Sequence, residues 1–308
     1  MIHSLFYEKL IINFNYRIHS SFILTMNQIS NKSKAFLWML GTTLSFCSMA
    51  LCIKELSINH STFDIQCLRN VFCIFILLIP FLMKKTSFKT LQMRNNLFRN
   101  FFHFIGQSGW TFGLSVLPMS TVFSIEFTMP IWGTFIAVLF LKEKINLTKL
   151  IFLLIGLIGT VIILSPSKSS FNEYAIIVLA AAISYAIAHN FTKTLTKTDS
   201  IISILFWMSL IQLPLSIFCG IFYGGFKLLY FSELPLIFIF SATSLLAHLC
   251  LAKSLKLADA SFVLPLDYIR LPIITAIGWY MYSENISLNI IIGSLFIIIS
   301  SIISLKRN

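Results

Sequence analysis

LPMSTVFSIEFTMPIWGTFIAVLFLKEKINL, residues 117–147, and ADASFVLPLDYIRLPIITAIGWYMYSENISL, residues 258–288, read as two versions of one segment. An offset of 141 positions carries Ser120 onto Ser261, Val122 onto Val263 and Glu126 onto Asp267. The same offset places Glu143, Ile145 and Leu147 on Glu284, Ile286 and Leu288, so both copies share E-x-I-x-L at one distance from a serine. Farther on, Ile151, Leu154, Ile158, Ile162 and Leu164 meet Ile292, Leu295, Ile299, Ile303 and Leu305. Upstream, an offset of 139 brings Leu40, Ser45, Lys54 and Leu56 onto Leu179, Ser184, Lys193 and Leu195. Apolar matches alone are cheap in such a chain; the repeated glutamate, serine and lysine positions are not.

The chain around this repeat is apolar. Of 308 residues, 57% are hydrophobic and 11% charged, whereas a soluble domain carries about 25% charged residues. Mean hydropathy is +0.87, which leaves too little polar surface for a water-facing globule. A spanning helix needs about 20 mostly apolar residues. Ten runs qualify: 35–53, 66–83, 97–116, 120–141, 149–165, 174–192, 200–222, 233–252, 258–282 and 287–305. The expected fold is an all-α membrane protein of ten transmembrane helices. A cytoplasmic tail at 1–34 precedes a first repeat at 35–165 and a second at 174–305. Five is odd, so matching helices of the two repeats run in opposite directions. Inverted repeats of this kind typify carriers, with the substrate site near the bilayer midplane.

The formal charge of +12 is spread over short loops and forms no nucleic-acid patch. With the N-terminus cytoplasmic, inside segments hold 18 Lys and Arg and outside segments three, Lys54, Lys168 and Lys227; Arg69 and Arg270 fall within spans. That asymmetry is the positive-inside pattern, with both termini cytoplasmic. Residues 1–25 carry Glu8, Lys9 and Arg17 and lack the apolar core and cleavage site of a signal peptide. Met26 opens a stretch that reads as an alternative start. The six cysteines, Cys47, Cys52, Cys67, Cys73, Cys219 and Cys250, lie in or beside apolar runs without C-x-x-C. They read as packing residues, and no metal site or cofactor is expected.

Charged groups inside spans cost about 2.5–3.5 kcal/mol each on insertion scales and persist where they pair or line a wet cavity. Asp267 and Arg270 stand three apart and share a helix face. They form either a structural ion pair or a pair of contacts for a zwitterionic solute. Glu126, the repeat counterpart of Asp267, lies four residues before Pro130 and has no cation within a turn of its own helix. It is either a proton-exchanging carboxyl or a hydrogen-bond acceptor for a neighbouring helix. His103, Gln107 and Trp110 share a helical face, as do Ser241, Ser244 and His248, while His189 and Asn190 lie in a sixth span. Such residues either glue helices together or, with Tyr268, cradle a cationic solute by cation–π contact. Prolines 130, 265 and 272 fall in equivalent spans, and with Pro214 each removes a helix donor.

LKLADASFVLPLDYIRLPIITAIGWYMYSENIS, residues 255–287, resembles the EamA branch of the drug/metabolite transporter superfamily. Its second half carries a similar A-S-x-x-x-P-x-D-Y-x-R-L stretch ending in glutamate. Arg99, residues 110–145, Arg69 and Lys54 agree with the first half, and the likeness runs from about residue 35 to the end. Around Asp267, Tyr268 and Arg270 the sequence is most similar to S-adenosylmethionine uptake transporters, some of them from obligate intracellular bacteria. The heavy use of Ile, Phe, Asn and Lys suits an AT-rich genome of that kind. The resemblance implies ten helices around a central cavity lined mainly by helices 1, 3, 4, 6, 8 and 9.

The expectation is therefore a secondary transporter, not an enzyme, in the bacterial inner membrane. It moves a small amphipathic or zwitterionic metabolite by alternating access, with S-adenosylmethionine uptake preferred over amino-acid export. A lipid enzyme is disfavoured by the absence of H-E-x-x-H and of a Ser–His–Asp arrangement, and no Walker sequence is present. The substrate site is expected at Asp267, Tyr268, Arg270, Glu126, Trp110, His103, Gln107, His189 and His248. Partners are a small-molecule substrate and the lipid bilayer, without nucleic acid, the protein being a monomer or homodimer.

Overall fold

The computed structural model describes residues 30–83, 87–117, 119–144, 147–164, 173–223, 225–227 and 229–282, with isolated positions between 288 and 299. Most of the expected tail and of the tenth span therefore lies outside the described residues. The described elements are helices. They comprise α1 (Asn31–Leu56), α2 (Thr62–Leu82), α3 (Met93–Val116), α4 (Met119–Glu126), α5 (Met129–Leu141), α6 (Leu147–Leu164), α7 (Glu173–Leu195), α8 (Ile201–Phe222), α9 (Leu234–Leu257), α10 (Ala260–Val263) and α11 (Arg270–Tyr282). Short 3₁₀ turns occupy Phe231–Glu233 and Leu264–Ile269.

Serines set several of the starts. Ser30 accepts from the Ser33 amide at 3.2 Å and Ser200 from the Ser203 amide at 3.1 Å. At α2, Ser61 and Asp64 form a reciprocal capping box, which satisfies two amides that would otherwise lack partners. Five segments are long and apolar enough to cross a membrane: Asn31–Leu56, Thr62–Leu82, Tyr174–Leu195, Ile201–Phe222 and Phe231–Leu257.

Two expected spans are broken. Residues 120–141 divide into α4 and α5 around Phe127 and Thr128, with Pro130 in the first turn of α5. Thr128 covers the break, its hydroxyl donating to the Ile125 carbonyl at 2.7 Å and accepting from the Trp132 indole at 3.2 Å. Residues 258–282 divide into α10, the 3₁₀ turn and α11, with Pro265 opening the turn. Proline removes an amide donor and clashes with the preceding turn, so each break sits where the sequence places a proline.

The packing interleaves the early and late helices: α3 lies along α7, α1 along α9, and α2 along α8. Small residues permit the closest of these approaches. Gly109 faces Ala181 and the Ile177 carbonyl, and Gly113 faces Val178. Without a hydrophobic drive in lipid, helix association depends on such tight contact. The helix α3 carries an unusually polar buried stripe of Asn96, Arg99, Asn100, His103, Gln107 and Thr111. Neighbouring helices partner part of it: Arg99 donates to Thr192, Asn100 to the Trp207 carbonyl, and the Tyr185 hydroxyl donates to Gln107.

Candidate functional site

Both helix breaks deliver a carboxylate to one point. Glu126 is the last residue of α4, and Asp267 lies in the 3₁₀ turn that precedes α11. Arg270 meets both, its guanidinium donating to Glu126 Oε1 at 2.6 Å and to Asp267 Oδ2 at 2.9 Å. A 3₁₀ turn has three residues per turn, so i and i+3 eclipse. This geometry stacks Asp267 and Arg270 directly. The other Glu126 oxygen accepts from the Trp110 indole at 2.7 Å. All four residues are buried.

Sequence reasoning paired Arg270 with Asp267 and left Glu126 without a cation on its own helix. The structure supplies that cation from the other half of the chain. The aromatic surround differs from the expected one as well. Arg270 is itself the cation that rings enclose, with its Cζ 5.1 Å from Phe127, 5.3 Å from Phe46 and 5.6 Å from Phe123. Tyr268 stands outside this cage, packing on Phe127 at 6.1 Å and against Gly156. A β-carbon at Gly156 would occupy the space of the Tyr268 ring.

Phe46, Trp110, Glu126, Met129, Tyr185, His189, Asp267 and Arg270 enclose the cavity at this node. It offers about 10 Å³ to a water centre, room for one water and too little for a solute. A second groove of about 540 Å³ lies on another face of α3, lined among others by Ser61, Phe63, Ser108, Phe112, Ile177 and Tyr223.

His103, Gln107 and His248 sit beside the node rather than in it. Gln107 accepts from the Tyr185 hydroxyl at 3.1 Å and donates to Thr111. The His103 and His248 rings meet edge to face at 4.7 Å, and His103 also meets Tyr185 at 5.4 Å. Tyr185 in turn stacks on His189 at 5.8 Å. Asn190 donates to the Gly133 and Ala186 carbonyls, tying α7 to α5. Sequence reasoning missed Tyr185, Phe46 and Gln212. Aromatic and amide residues are common in spans, and nothing local marks which of them turn inward.

One end of the bundle is closed by polar contacts. The Glu143 carboxylate accepts from the Ala260 and Ser261 amides at 2.9 and 3.0 Å, capping α10. Lys193 donates to the Leu255 and Ala258 carbonyls. Ser254 donates to the Ala35 carbonyl at 2.8 Å. The opposite end joins the α1–α2 turn to the start of α9 through Glu233, which takes Asn59 at 3.0 Å and His60 at 2.9 Å.

The sequence matches the EamA-like transporter family twice, over residues 33–165 and 173–306. The chain belongs to that family. It is a membrane transporter, not an enzyme, and the setting it implies is a bilayer with a small-molecule substrate. Among its relatives, the S-adenosylmethionine uptake transporter of Rickettsia bellii is 28% identical over 263 residues, 85% of this chain and 89% of that protein. The protein of the same description from Rickettsia felis is 27% identical, covering 85% of this chain and 88% of its own. The riboflavin transporter of Vibrio cholerae is 27% identical over 80% of this EamA-like chain and 84% of its own. A solved structure titled only as the crystal structure of a protein shares the fold, with a TM-score of 0.74. It is 15% identical, covering 89% of this chain and 99% of that one.

Proposed function

We propose that this EamA-like protein is a secondary carrier for S-adenosylmethionine, taking it up across the bacterial inner membrane by alternating access. The observation that carries this reading is the buried node of Glu126, Asp267 and Arg270, formed where two broken helices meet. Broken spans place substrate sites at the midplane of carriers. With both carboxyls ionised the node holds one net negative charge, which suits a cationic sulfonium or ammonium group. The aromatic rings around it attract cations as well. The relatives described as S-adenosylmethionine uptake transporters support the same substrate. An anionic node suits a neutral isoalloxazine ring less.

Two inverted five-helix repeats with ten spans complete the reading, both ends facing the cytoplasm. The helix contacts support it. If α1 corresponds to α7 and α3 to α9, the α3–α7 contact maps onto the α9–α1 contact, and both are extensive. The breaks at Thr128 and at Leu264–Ile269 then occupy corresponding places. The small cavity has to enlarge, since sites for solutes of this size span about 300–1,000 Å³. In this orientation the Glu143, Lys193 and Ser254 contacts shut the cytoplasmic end. Monomer and homodimer both satisfy the mechanism.

Counterflow in proteoliposomes tests the proposal. Preloading with unlabelled S-adenosylmethionine accelerates entry of the labelled compound for a carrier and does not for a channel. No acceleration with S-adenosylmethionine, and acceleration with amino acids alone, overturns the substrate.

A further inference from the structure

The strongest unexplained feature is a second charged cluster that the node does not use. Arg69 of α2 and Arg99 of α3 are 0% and 1% exposed. Among the described residues neither meets a carboxylate. Arg69 donates to the side-chain oxygens of Asn70 at 2.9 Å and Gln212 at 2.7 Å. Arg99 donates to Asn100 at 2.6 Å and Thr192 at 3.2 Å. Gln212 also binds His103 Nδ1 at 2.9 Å, which joins Arg69 to α3. Two guanidinium ions are thus held by neutral oxygens alone.

Donors outnumber acceptors here. The Nε and Nη1 of Arg69 and the Nε2 of His103 are donors buried without a hydrogen-bond partner, and the neutral ring of His248 adds one more unmet N–H beside its unmet acceptor nitrogen. Leaving a buried donor unsatisfied is costly, and more so for a charged one. Arginine is always protonated and presents its N–H groups in a fork that matches a carboxylate. His103 and His248 also bridge toward the node: His248 meets Phe46 at 5.4 Å, and Phe46 lies 5.3 Å from the Arg270 guanidinium. One cluster is short of negative charge, the other carries a surplus of it, and a continuous wall of rings connects them.

We infer that the Arg69–Arg99 cluster is an anion subsite for the carboxylate of an amino-acid-like solute whose cationic group is held at the Glu126–Asp267 end. The inference rests on the carrier reading above and adds what the solute needs: a carboxylate in addition to its positive group. A bipartite site of this kind rejects a solute lacking the carboxylate, because Arg69 then stays buried with unmet donors.

The test uses the purified full chain and two pairs of probes that differ at the carboxylate: S-adenosylmethionine with its decarboxylated form, and methionine with methioninol. The expected result is about 30-fold tighter binding of the carboxylate-bearing adenosyl compound, roughly 2 kcal/mol at 1.4 kcal/mol per tenfold. Arg69→Gln removes that preference, whereas Arg69→Lys keeps most of it. Equal binding of S-adenosylmethionine and its decarboxylated form overturns the subsite while leaving the carrier reading intact. So does a preference that survives in Arg69→Gln with Arg99→Gln. If neither adenosyl compound binds, the proposed substrate fails and the methionine pair decides the subsite, with equal or absent binding of both overturning it. Should the arginine variants not fold, the wild-type comparison alone decides.

Discussion

The Glu126 carboxylate lies 2.6 Å from the Arg270 guanidinium across 144 positions of sequence, so the two helix breaks are joined by a charge pair. Removing one partner of a buried pair leaves an uncompensated charge, at a cost of about 3–5 kcal/mol. Arg270→Gln therefore does double damage, freeing two carboxylates at once. Its expected outcome is a lower melting temperature in detergent together with loss of uptake. Normal stability and normal uptake in that variant would remove the node from both roles.

Asp267→Asn is the milder change, because Glu126 still holds Arg270. We expect membrane abundance close to wild type and loss of S-adenosylmethionine uptake, checked by labelled uptake against immunoblots of the membrane fraction. Full transport by Asp267→Asn excludes Asp267 from the substrate site.

Trp110 acts through Glu126. A hydrogen bond to a charged group contributes about 1.5–3 kcal/mol, and Trp110→Phe deletes the 2.7 Å donor while keeping a ring in place. Apparent substrate affinity should fall about tenfold or more, with the helices still folded. Titration of binding in wild type and variant measures it, and unchanged affinity counts against the contact.

The α3–α7 seam depends on missing side chains. A β-carbon at Gly109 would sit 2.9 Å from Ala181 Cβ and 3.1 Å from the Ile177 carbonyl oxygen. Neither neighbour is the flexible end of a side chain. Gly109→Val should cost about 1–3 kcal/mol, typical of overpacking, read as a drop in melting temperature. An unchanged transition means that the seam is looser than this contact implies.

Membrane orientation is open to direct mapping. Tags beside Lys142 and beside Ser283 are expected on opposite faces of the membrane, with Lys142 cytoplasmic. Accessibility of both tags from one face breaks the inverted arrangement, and the alternating-access reading goes with it.

The sequence alone determined that this chain is a helical membrane protein of the transporter class. Apolar run length, lysine and arginine asymmetry and the E-x-I-x-L repeat are local or additive signals, and they survive without knowledge of any contact. It also marked Glu126, Asp267, Arg270 and Trp110, because a charge or polar ring inside an apolar run stands out against its neighbours. What it could not supply was the pairing. Glu126 finds its cation, Arg69 its Gln212 and His103 its His248 on helices far away in sequence, and helical periodicity says only which residues share a face. Tertiary packing decided which faces meet. Prolines at the two breaks, with a threonine at the first, turned two expected continuous spans into jointed ones, and the joints place the two carboxylates on one arginine.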